Sequence, residues 1–260
     1  MENIESEQIN YKLVLKLALS LGYSLQKSGA ETYRVEDSCY YVLKAYNCVD
    51  VDVYALANFL SITFNSPSGE HYGGQRRISH STYSLGKLDL LNRSARKICE
   101  EIPSPSKALE QIHSIMSLPY YPFIEQILIC GFVGFSFTML IGGSLLSGLY
   151  AFCIDVILRI LIEPLLRLNT NKMFINILGG VVVSFMAWPC KYLSLSNEMN
   201  LIITGSFMYL FPGVALMNSV RDIIVSDYLA GITKLTETIL TAIAIAIGSG
   251  IAISILNGIS

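Results

Sequence analysis

Residues 123–141, FIEQILICGFVGFSFTMLI, decide the class of fold to which this chain belongs. The stretch is almost entirely apolar, and it approaches the roughly 20 residues that an α-helix needs to cross a lipid bilayer. The sequence therefore predicts that residues 119–260 form a bundle of about five transmembrane α-helices. The predicted spans are at about 123–141, 143–162, 173–192, 201–220 and 236–256.

The first 118 residues differ, because charges and turn signals separate their apolar residues. Between Tyr11 and Lys27, leucines recur every three or four residues, which predicts an amphipathic helix. A second helix is predicted from Ser28 to about Tyr46, because Ser28 and Glu31 have the spacing of a capping box. Two further helices are predicted, at about 87–101 and 105–116.

Strict alternation of apolar and polar residues predicts two strands, Val49–Val53 and Leu60–Phe64. The segment Tyr72–Gly74 is typical of a turn, and a third strand is expected near Arg77–Ile78. The predicted fold is thus a membrane protein with an N-terminal cytosolic α+β domain, residues 1–118, followed by the transmembrane domain.

Charge, cysteine usage and motif content exclude several classes of function. The formal net charge is -2, and the basic residues are scattered, so no surface for nucleic acid is predicted. The six cysteines lack paired spacing and are predicted to be free thiols in a reducing compartment. The histidines share no metal-ligand spacing, and no catalytic triad or phosphate-binding glycine loop is visible. We therefore expect no enzyme activity, no metal and no cofactor.

The distribution of basic residues predicts the orientation in the membrane. The chain starts with acidic residues rather than a signal peptide, so the N-terminus is expected in the cytosol. Lys and Arg lie after the second and fourth spans, whereas the connection between the first two spans has none. This bias predicts cytosolic 2–3 and 4–5 loops and an external C-terminus.

Charged residues inside the second span are candidates for function, because charges in a bilayer are costly. Asp155, Arg159 and Glu163 follow one another at four-residue steps, which places them on one helix face as intramembrane ion pairs. Asp155 is a candidate for proton coupling. The alternative is that Arg159 and Glu163 only reach the interface, with Asp155 as their partner.

The end of the fourth span is the second candidate. Pro212 and Gly213 interrupt an apolar helix, which is tolerated where a helix breaks beside a cavity. Asn218 is three residues before Arg221 and four before Asp222, so it neighbours both on the helix surface. An arginine suits a carboxylate ligand, and a shielded aspartate suits a proton. The alternative is an ordinary helix end at the interface.

Glu31, Arg34 and Glu36 form a charged group on the predicted second helix. The capping box offers a purely structural explanation for Ser28 and Glu31. The same residues are also available to pair with another part of the protein.

Two stretches of the sequence are familiar. Ser28–Glu36, which includes Gly29, resembles the first signature of the bacterial threonine/serine exporter family, and Phe211–Gly231, which includes Asp227, resembles its membrane signature. Asn92–Arg93 also fits, so the resemblance covers nearly the whole chain. One departure is the segment Ala55–Asn58, where the family usually has a proline.

The resemblance implies secondary export across the plasma membrane by a multi-pass protein, driven by an ion gradient. Fused members of the family carry a second membrane module. Split members resemble this chain in length and work with a small companion subunit, and some are associated with succinate export. The chain is therefore expected to be the larger subunit of such a pair. An odd number of spans would place a tandem companion inverted in the membrane, so that the two complete one site.

The leading hypothesis is export of a small carboxylate-bearing metabolite, either threonine or serine or a dicarboxylate such as succinate. Arg221 is the expected substrate anchor and Asn218 orients the substrate, with Pro212 and Gly213 beside it. Asp222 or Asp227, in addition to Asp155, is the expected proton carrier.

The front domain is expected to dock through Glu31, Arg34 and Glu36 as a gate or an assembly surface. Two alternatives remain open: a passive channel or scaffold subunit, and a membrane-anchored metabolite sensor. A homo-oligomer is compatible with the sequence.

Overall fold

The computed structural model describes residues 9–79, 82–119, 121–168, 170–192 and 198–259. Within these ranges the chain forms helices and one antiparallel sheet, with a short 3-10 helix at Trp188–Tyr192. In chain order the elements are α1 (Tyr11–Lys27), α2 (Thr32–Ala45), β1 (Val49–Leu56), β2 (Phe59–Asn65), β3 (His71–Arg77), α3 (Leu85–Glu101), α4 (Pro105–Ser117), α5 (Phe123–Leu140), α6 (Leu145–Arg167), α7 (Lys172–Ala187), α8 (Met199–Leu210), α9 (Gly213–Ile224) and α10 (Tyr228–Ile259).

The chain divides into two compact units. The front unit contains the described residues up to Pro119 together with Val214–Leu235, and the bundle unit contains Tyr120–Gly213 and the described residues from Thr236 onward. The predicted division at residues 118 and 119 did not assign Val214–Leu235 to the front part. These residues belong there because their polar side chains bond to the start of α2, as described below.

The core of the front unit lies between the sheet and the helices that pack on one of its faces. The strands follow one another in the order β1, β2, β3, with Val53 opposite Ile62 and Ile62 opposite Gly74. Alternate residues of β2 point to that core, because side chains along a strand alternate between its faces. The largest fully buried side chains in this unit are Leu17, Leu21, Leu25, Leu43, Tyr46, Leu60, Ile62, Phe64, Leu91, Ile98 and Ile112.

The turn between α1 and α2 differs from the prediction. Ser28 is the C-cap of α1 rather than the N-cap of α2, and Gly29 follows it with a φ of 91°. The N–H groups of Gly29 and of the next residue return to carbonyls of the last turn of α1, an arrangement that ends many helices. Helix α2 then begins at Thr32, with Glu31 as an N-cap that makes no side-chain capping bond. The predicted capping box is therefore wrong, because the left-handed glycine ends α1 at this point.

The third strand also differs from the prediction, since the expected turn Tyr72–Gly74 lies inside β3. The chain reverses earlier, within residues 66–70. Gly74 instead marks a close approach of α1 to the sheet, because a Cβ atom there would lie 2.7 Å from Leu19 Cδ1. Gly74 therefore reflects the packing of α1 on the sheet.

Four helices of the chain are long and apolar enough to cross a membrane, among the residues that the structure describes. A fifth span exists if α8 and α9, separated at Phe211 and Pro212, are counted as one broken span. The fourth predicted span, 201–220, is interrupted there because proline lacks an N–H group and clashes with the preceding helical turn. The four unbroken candidates are Phe123–Leu140, Leu145–Arg167, Lys172–Cys190 and Tyr228–Gly258.

Small residues bring the helices of the bundle unit close together. Helix α6 packs against α5, α7 and α8 around the buried residues Ile154 and Leu158. Between α7 and α10, the Ser184 and Ser249 hydroxyls lie 2.8 Å apart. A Cβ atom at Gly180 would lie 2.4 Å from a backbone carbonyl of α10. Such contacts are typical of helix packing in membranes, where the hydrophobic effect does not drive helices together and close packing and interhelical hydrogen bonds stabilise their contacts instead.

Candidate functional site

The two family-like stretches of the sequence meet inside the front unit. Arg221 of α9 forms a short ion pair through Nη1 with Oε1 of Glu31, the N-cap of α2. The Glu31 side chain is only 9% exposed, whereas that of Arg221 is 49% exposed. The pair thus has a buried acidic side and a basic side that is open to solvent.

Asp222 supplies the cap that α2 lacks in its own sequence. Its Oδ1 accepts from the Thr32 N–H at 3.3 Å, and its Oδ2 accepts from the Thr32 hydroxyl at 3.0 Å. A carboxylate at a helix N-terminus also interacts favourably with the helix dipole. Lys234, from the first turns of α10, donates to Asp222 Oδ2 at 2.6 Å and to the Thr32 hydroxyl at 3.0 Å. Asp222 is fully buried, so this network is shielded from water.

Asn218 holds the loop that precedes α2. Its Nδ2 donates to the carbonyl of Gly29 at 2.9 Å, and the residue is buried. A side chain at position 29 would collide with Tyr83, since a Cβ there would lie 2.3 Å from Tyr83 Cδ1. Asn218 therefore positions the turn before Glu31, and its amide nitrogen is engaged. We refer to Glu31, Thr32, Asn218, Arg221, Asp222 and Lys234 as the α2 cluster.

Arg34 and Glu36, the other charged residues of the predicted group, lie at the edge of the α2 cluster. Arg34 Nε is 3.3 Å from Glu31 Oε2, an ion pair whose geometry is not that of a hydrogen bond. Glu36 Oε1 accepts from the Ala55 N–H at 2.8 Å, which ties α2 to β1. Burial raises the pKa of Glu36, and the carboxylates of Asp227 and Asp222 add to this while the bond from Ala55 opposes it.

Asp227 lies between α9 and α10 and borders a small cavity. Burial and the nearby Asp222 raise the pKa of the Asp227 carboxyl, and Lys234 partly opposes the change. The cavity measures about 190 Å³ and is lined by Tyr54–Leu56 and Ser226–Ala230. A carboxyl whose proton is held more tightly than usual thus lies beside a space of small-molecule size.

Pro212 and Gly213 belong to the bundle unit, not to the α2 cluster. They follow the end of α8, where Phe211 adopts an extended conformation. An apolar cavity of about 220 Å³ lies between α8 and α10, lined by Phe207, Phe211 and Ile245, among others. The break therefore borders a cavity, but the structure does not bring these two residues together with Arg221.

The charged ladder of α6 begins one step later than predicted. Arg159 Nη1 donates to Glu163 Oε2 at 2.8 Å, and Arg167 Nε donates to Glu163 Oε1 at 2.7 Å. A second donor of Arg159 bonds to Gln126 Oε1 at 2.6 Å. Asp155 is not part of the ladder, because Glu163 and Gln126 already engage the Arg159 guanidinium. Both carboxylate oxygens of Asp155 are buried without a hydrogen bond of good geometry among the described residues, and the Ser206 hydroxyl and the Gly134 backbone lie beside them.

Sequence reasoning missed Thr32 and Lys234. Neither residue type marks a site by itself, and both acquire a role only through contact with Asp222. The one available signal was the position of Thr32 inside the first family-like stretch. Within the described ranges, no group of three or more His, Cys, Asp or Glu residues is arranged to hold a metal ion.

Comparisons with known proteins give one match. No curated protein and no solved structure matched the sequence. A family model named ThrE, with the description "Putative threonine/serine exporter", matches residues 16–256. This range includes both the α2 cluster and the candidate membrane-spanning helices. The chain belongs to the ThrE family of threonine/serine exporters.

Proposed function

We propose that this chain is a subunit of a secondary transporter that exports a small amino acid, of the size of serine or threonine, across the plasma membrane. The observation that carries the proposal is the Arg221–Glu31 ion pair, which is open to solvent on its basic side. Membership in a family described as threonine/serine exporters supports the substrate class.

The α2 cluster offers both charges that a zwitterion requires. Arg221 uses Nη1 for Glu31, and the guanidinium has further N–H donors that can bind a carboxylate in a bidentate manner. Glu31 Oε2 is buried and accepts no hydrogen bond of good geometry from a described residue, so an ammonium group would reach it by displacing Arg34, which lies 3.3 Å away. An amino acid entering beside the pair would satisfy both groups with one molecule.

The same charges disfavour a dicarboxylate. Succinate would bring its second carboxylate towards Glu31 and Asp222, and like charges in a shielded site repel. We therefore rank amino acids above succinate as cargo. Asn218 contributes by holding the Gly29 turn in place, rather than by direct contact through its amide nitrogen.

In this proposal the proton gradient drives export, with Asp155, Asp222 and Asp227 as candidate carriers. Asp222 is already engaged by Lys234 and Thr32, so a proton there would have to displace an ion pair. The N-terminus and the α2 cluster are assigned to the cytosolic side, where an exporter meets its substrate. A small companion subunit of the same family is the proposed partner that completes the transport path.

The test is substrate flux in proteoliposomes that contain the chain with and without its companion, under an imposed pH gradient. Saturable flux of threonine or serine that exceeds succinate flux would support the proposal. Arg221→Lys should reduce this flux at least tenfold, because a point charge cannot reproduce the planar fork of arginine. Arg96→Lys, the same change at an exposed position of α3, is the matched control and should retain flux.

Four outcomes would contradict parts of the proposal. Normal flux in Arg221→Lys would remove the anchor role of Arg221. Flux that neither saturates nor responds to the pH gradient would indicate a channel. Tight amino-acid binding by folded protein without flux in any condition would indicate a sensor. Full activity of the chain alone, as a monomer, would remove the companion from the mechanism.

A further inference from the structure

In the described part of the bundle unit, three buried polar side chains make no hydrogen bond of good geometry. They are Asp155 of α6, Thr138 of α5 and Ser206 of α8, and none of them is exposed. Neither carboxylate oxygen of Asp155 and neither of the two hydroxyl oxygens forms a hydrogen bond of good geometry with a described residue, although the Ser206 hydroxyl and the Gly134 backbone lie beside the carboxylate. Buried polar groups in proteins are almost always paired, so three together require an explanation.

These side chains lie where α5, α6 and α8 pack together. A Cβ atom at Gly134 of α5 would lie 2.1 Å from Asp155 Oδ2. A Cβ atom at Gly205 of α8 would lie 2.0 Å from Thr138 Oγ1. Glycine is therefore required at both positions, because the polar atoms occupy the space of a side chain. We call Asp155, Thr138 and Ser206 the Asp155 cluster.

Among the described residues, no positive charge forms an ion pair with the Asp155 carboxyl. On its own helix, Arg159 is engaged by Glu163 and Gln126. From α5, Cys130 directs its thiol to the backbone carbonyl of residue 155 at 3.2 Å. Tyr209 of α8 also lies near the carboxyl and brings no positive charge. Lys172 of α7 pairs with Glu237 of α10.

An ionised carboxylate in this position would carry the full cost of burial in an apolar interior. Binding one proton removes that cost and needs no additional space. A sodium ion would need several oxygen ligands around a cavity, whereas the contacts at Gly134 and Gly205 show that the helices are tightly packed here. Two hydroxyl groups can accept from a protonated carboxyl and donate to an ionised one, so they serve both states.

We infer that the Asp155 cluster is the proton-binding site of the transport cycle, with the Asp155 carboxyl as carrier and the Thr138 and Ser206 hydroxyls as its hydrogen-bond partners. The carboxyl takes up a proton from the external side and releases it to the cytosol, where the proton concentration is lower. This assignment rests on the proposed function. It favours Asp155 over Asp222 and Asp227 as the coupling residue.

The experiment compares exchange with driven transport in proteoliposomes. Asp155→Asn imitates the protonated carboxyl permanently. It should retain exchange of labelled for unlabelled threonine within about twofold of wild type, but lose accumulation driven by a pH gradient. Glu125→Gln, a carboxyl-to-amide change at an exposed position in the first turn of α5, is the matched control and should retain both activities.

Absence of any threonine flux in wild type would refute the proposed function rather than this inference. Driven accumulation by Asp155→Asn, or wild-type accumulation that follows a sodium gradient instead of the pH gradient, would overturn the inference. Loss of exchange as well as driven flux in a folded variant would also overturn it, because Asp155 would then act on the substrate path.

A second measurement keeps the inference testable if the variant transports poorly. In weakly buffered detergent solution, threonine binding to wild type should change the number of bound protons, which a pH-sensitive dye reports. Asp155→Asn should bind threonine without this change. An unchanged proton signal in the variant would overturn the assignment.

Discussion

Asp222 should be the residue on which the start of α2 depends most strongly. Asp222→Ala removes both acceptors of Thr32 and the buried carboxylate to which the largely covered Lys234 ammonium donates. Breaking a buried ion pair from one side costs about 3–5 kcal/mol. At about 1.4 kcal/mol per factor of ten, even the lower value corresponds to roughly a 100-fold change in the local opening equilibrium.

Hydrogen–deuterium exchange of the segment 31–38 measures that equilibrium directly. In Asp222→Ala, these amides should exchange roughly 100-fold faster than in wild type. Asp222→Asn keeps one acceptor oxygen for the Thr32 N–H but loses the charge. Hydrogen bonds to charged groups contribute about 1.5–3 kcal/mol, so an increase of roughly tenfold is expected.

Asp227→Asn is the matched control, since it makes the same change five residues along the chain. The Asp227 carboxyl carries an unfavourable interaction with Asp222, so its neutralisation should leave the exchange of this segment equal or slower. Exchange in Asp222→Ala that stays within threefold of wild type, in folded protein, would refute the assignment of Asp222 as the cap of α2.

Three further predictions concern the front unit and the helix contacts. Because the pKa of Glu36 is raised in the fold, the native state binds this proton more tightly, and the protein should lose stability as pH rises above the usual range of a glutamate carboxyl. Glu36→Gln should reduce this loss in thermal unfolding, and an equal pH dependence would contradict the prediction. Gly231→Ala should lower stability by about 1–3 kcal/mol, because the added Cβ would lie 2.9 Å from a backbone carbonyl of α9. Gly250→Ala, which has open space around it, should not lower stability, and equal melting temperatures of the two variants would contradict this packing. Asn10→Ala should lower the free energy of unfolding by about 1 kcal/mol in chemical denaturation, because two capping bonds of α1 are lost. Ser104→Ala, at a cap without such bonds, should lower it less, and the reverse order would contradict the capping assignment.

The sequence was informative wherever local pattern determines structure. Apolar length placed the spans, although α6 ends five residues later and α10 begins eight residues earlier than predicted, and the predicted bounds of α3 and α4 lie within about two residues of the observed ones. The pattern Ser28-x-x-Glu31 misled, because the same letters fit either a helix start or the end of the preceding helix. The left-handed conformation of Gly29 decides between them, and spacing does not reveal it.

The α2 cluster could be predicted only in part. The family resemblance identified both stretches that form the cluster. The helical spacing, however, indicated only that Arg221, Asn218 and Asp222 are neighbours on one helix. The partner of Arg221 in the fold, Glu31, lies 190 residues earlier in the chain. Such pairing depends on the tertiary arrangement of the front unit. The prediction that Asp155 pairs with Arg159 was wrong for a related reason, because Gln126 from another helix binds the Arg159 guanidinium.

The contribution of a late segment to the front unit has a consequence for biosynthesis. The capping bond between Thr32 and Asp222 can form only after Asp222 has been synthesised, 190 residues later. At typical synthesis rates of 5–20 residues per second, the delay is roughly 10–40 s. During that time the N-terminal part has left the ribosome with the start of α2 uncapped, while the intervening apolar helices are still entering the membrane. The front unit can therefore be completed only after the bundle helices α5–α8 have been synthesised. A chain arrested before α9 would contain an incompletely folded domain that is accessible to proteases and chaperones.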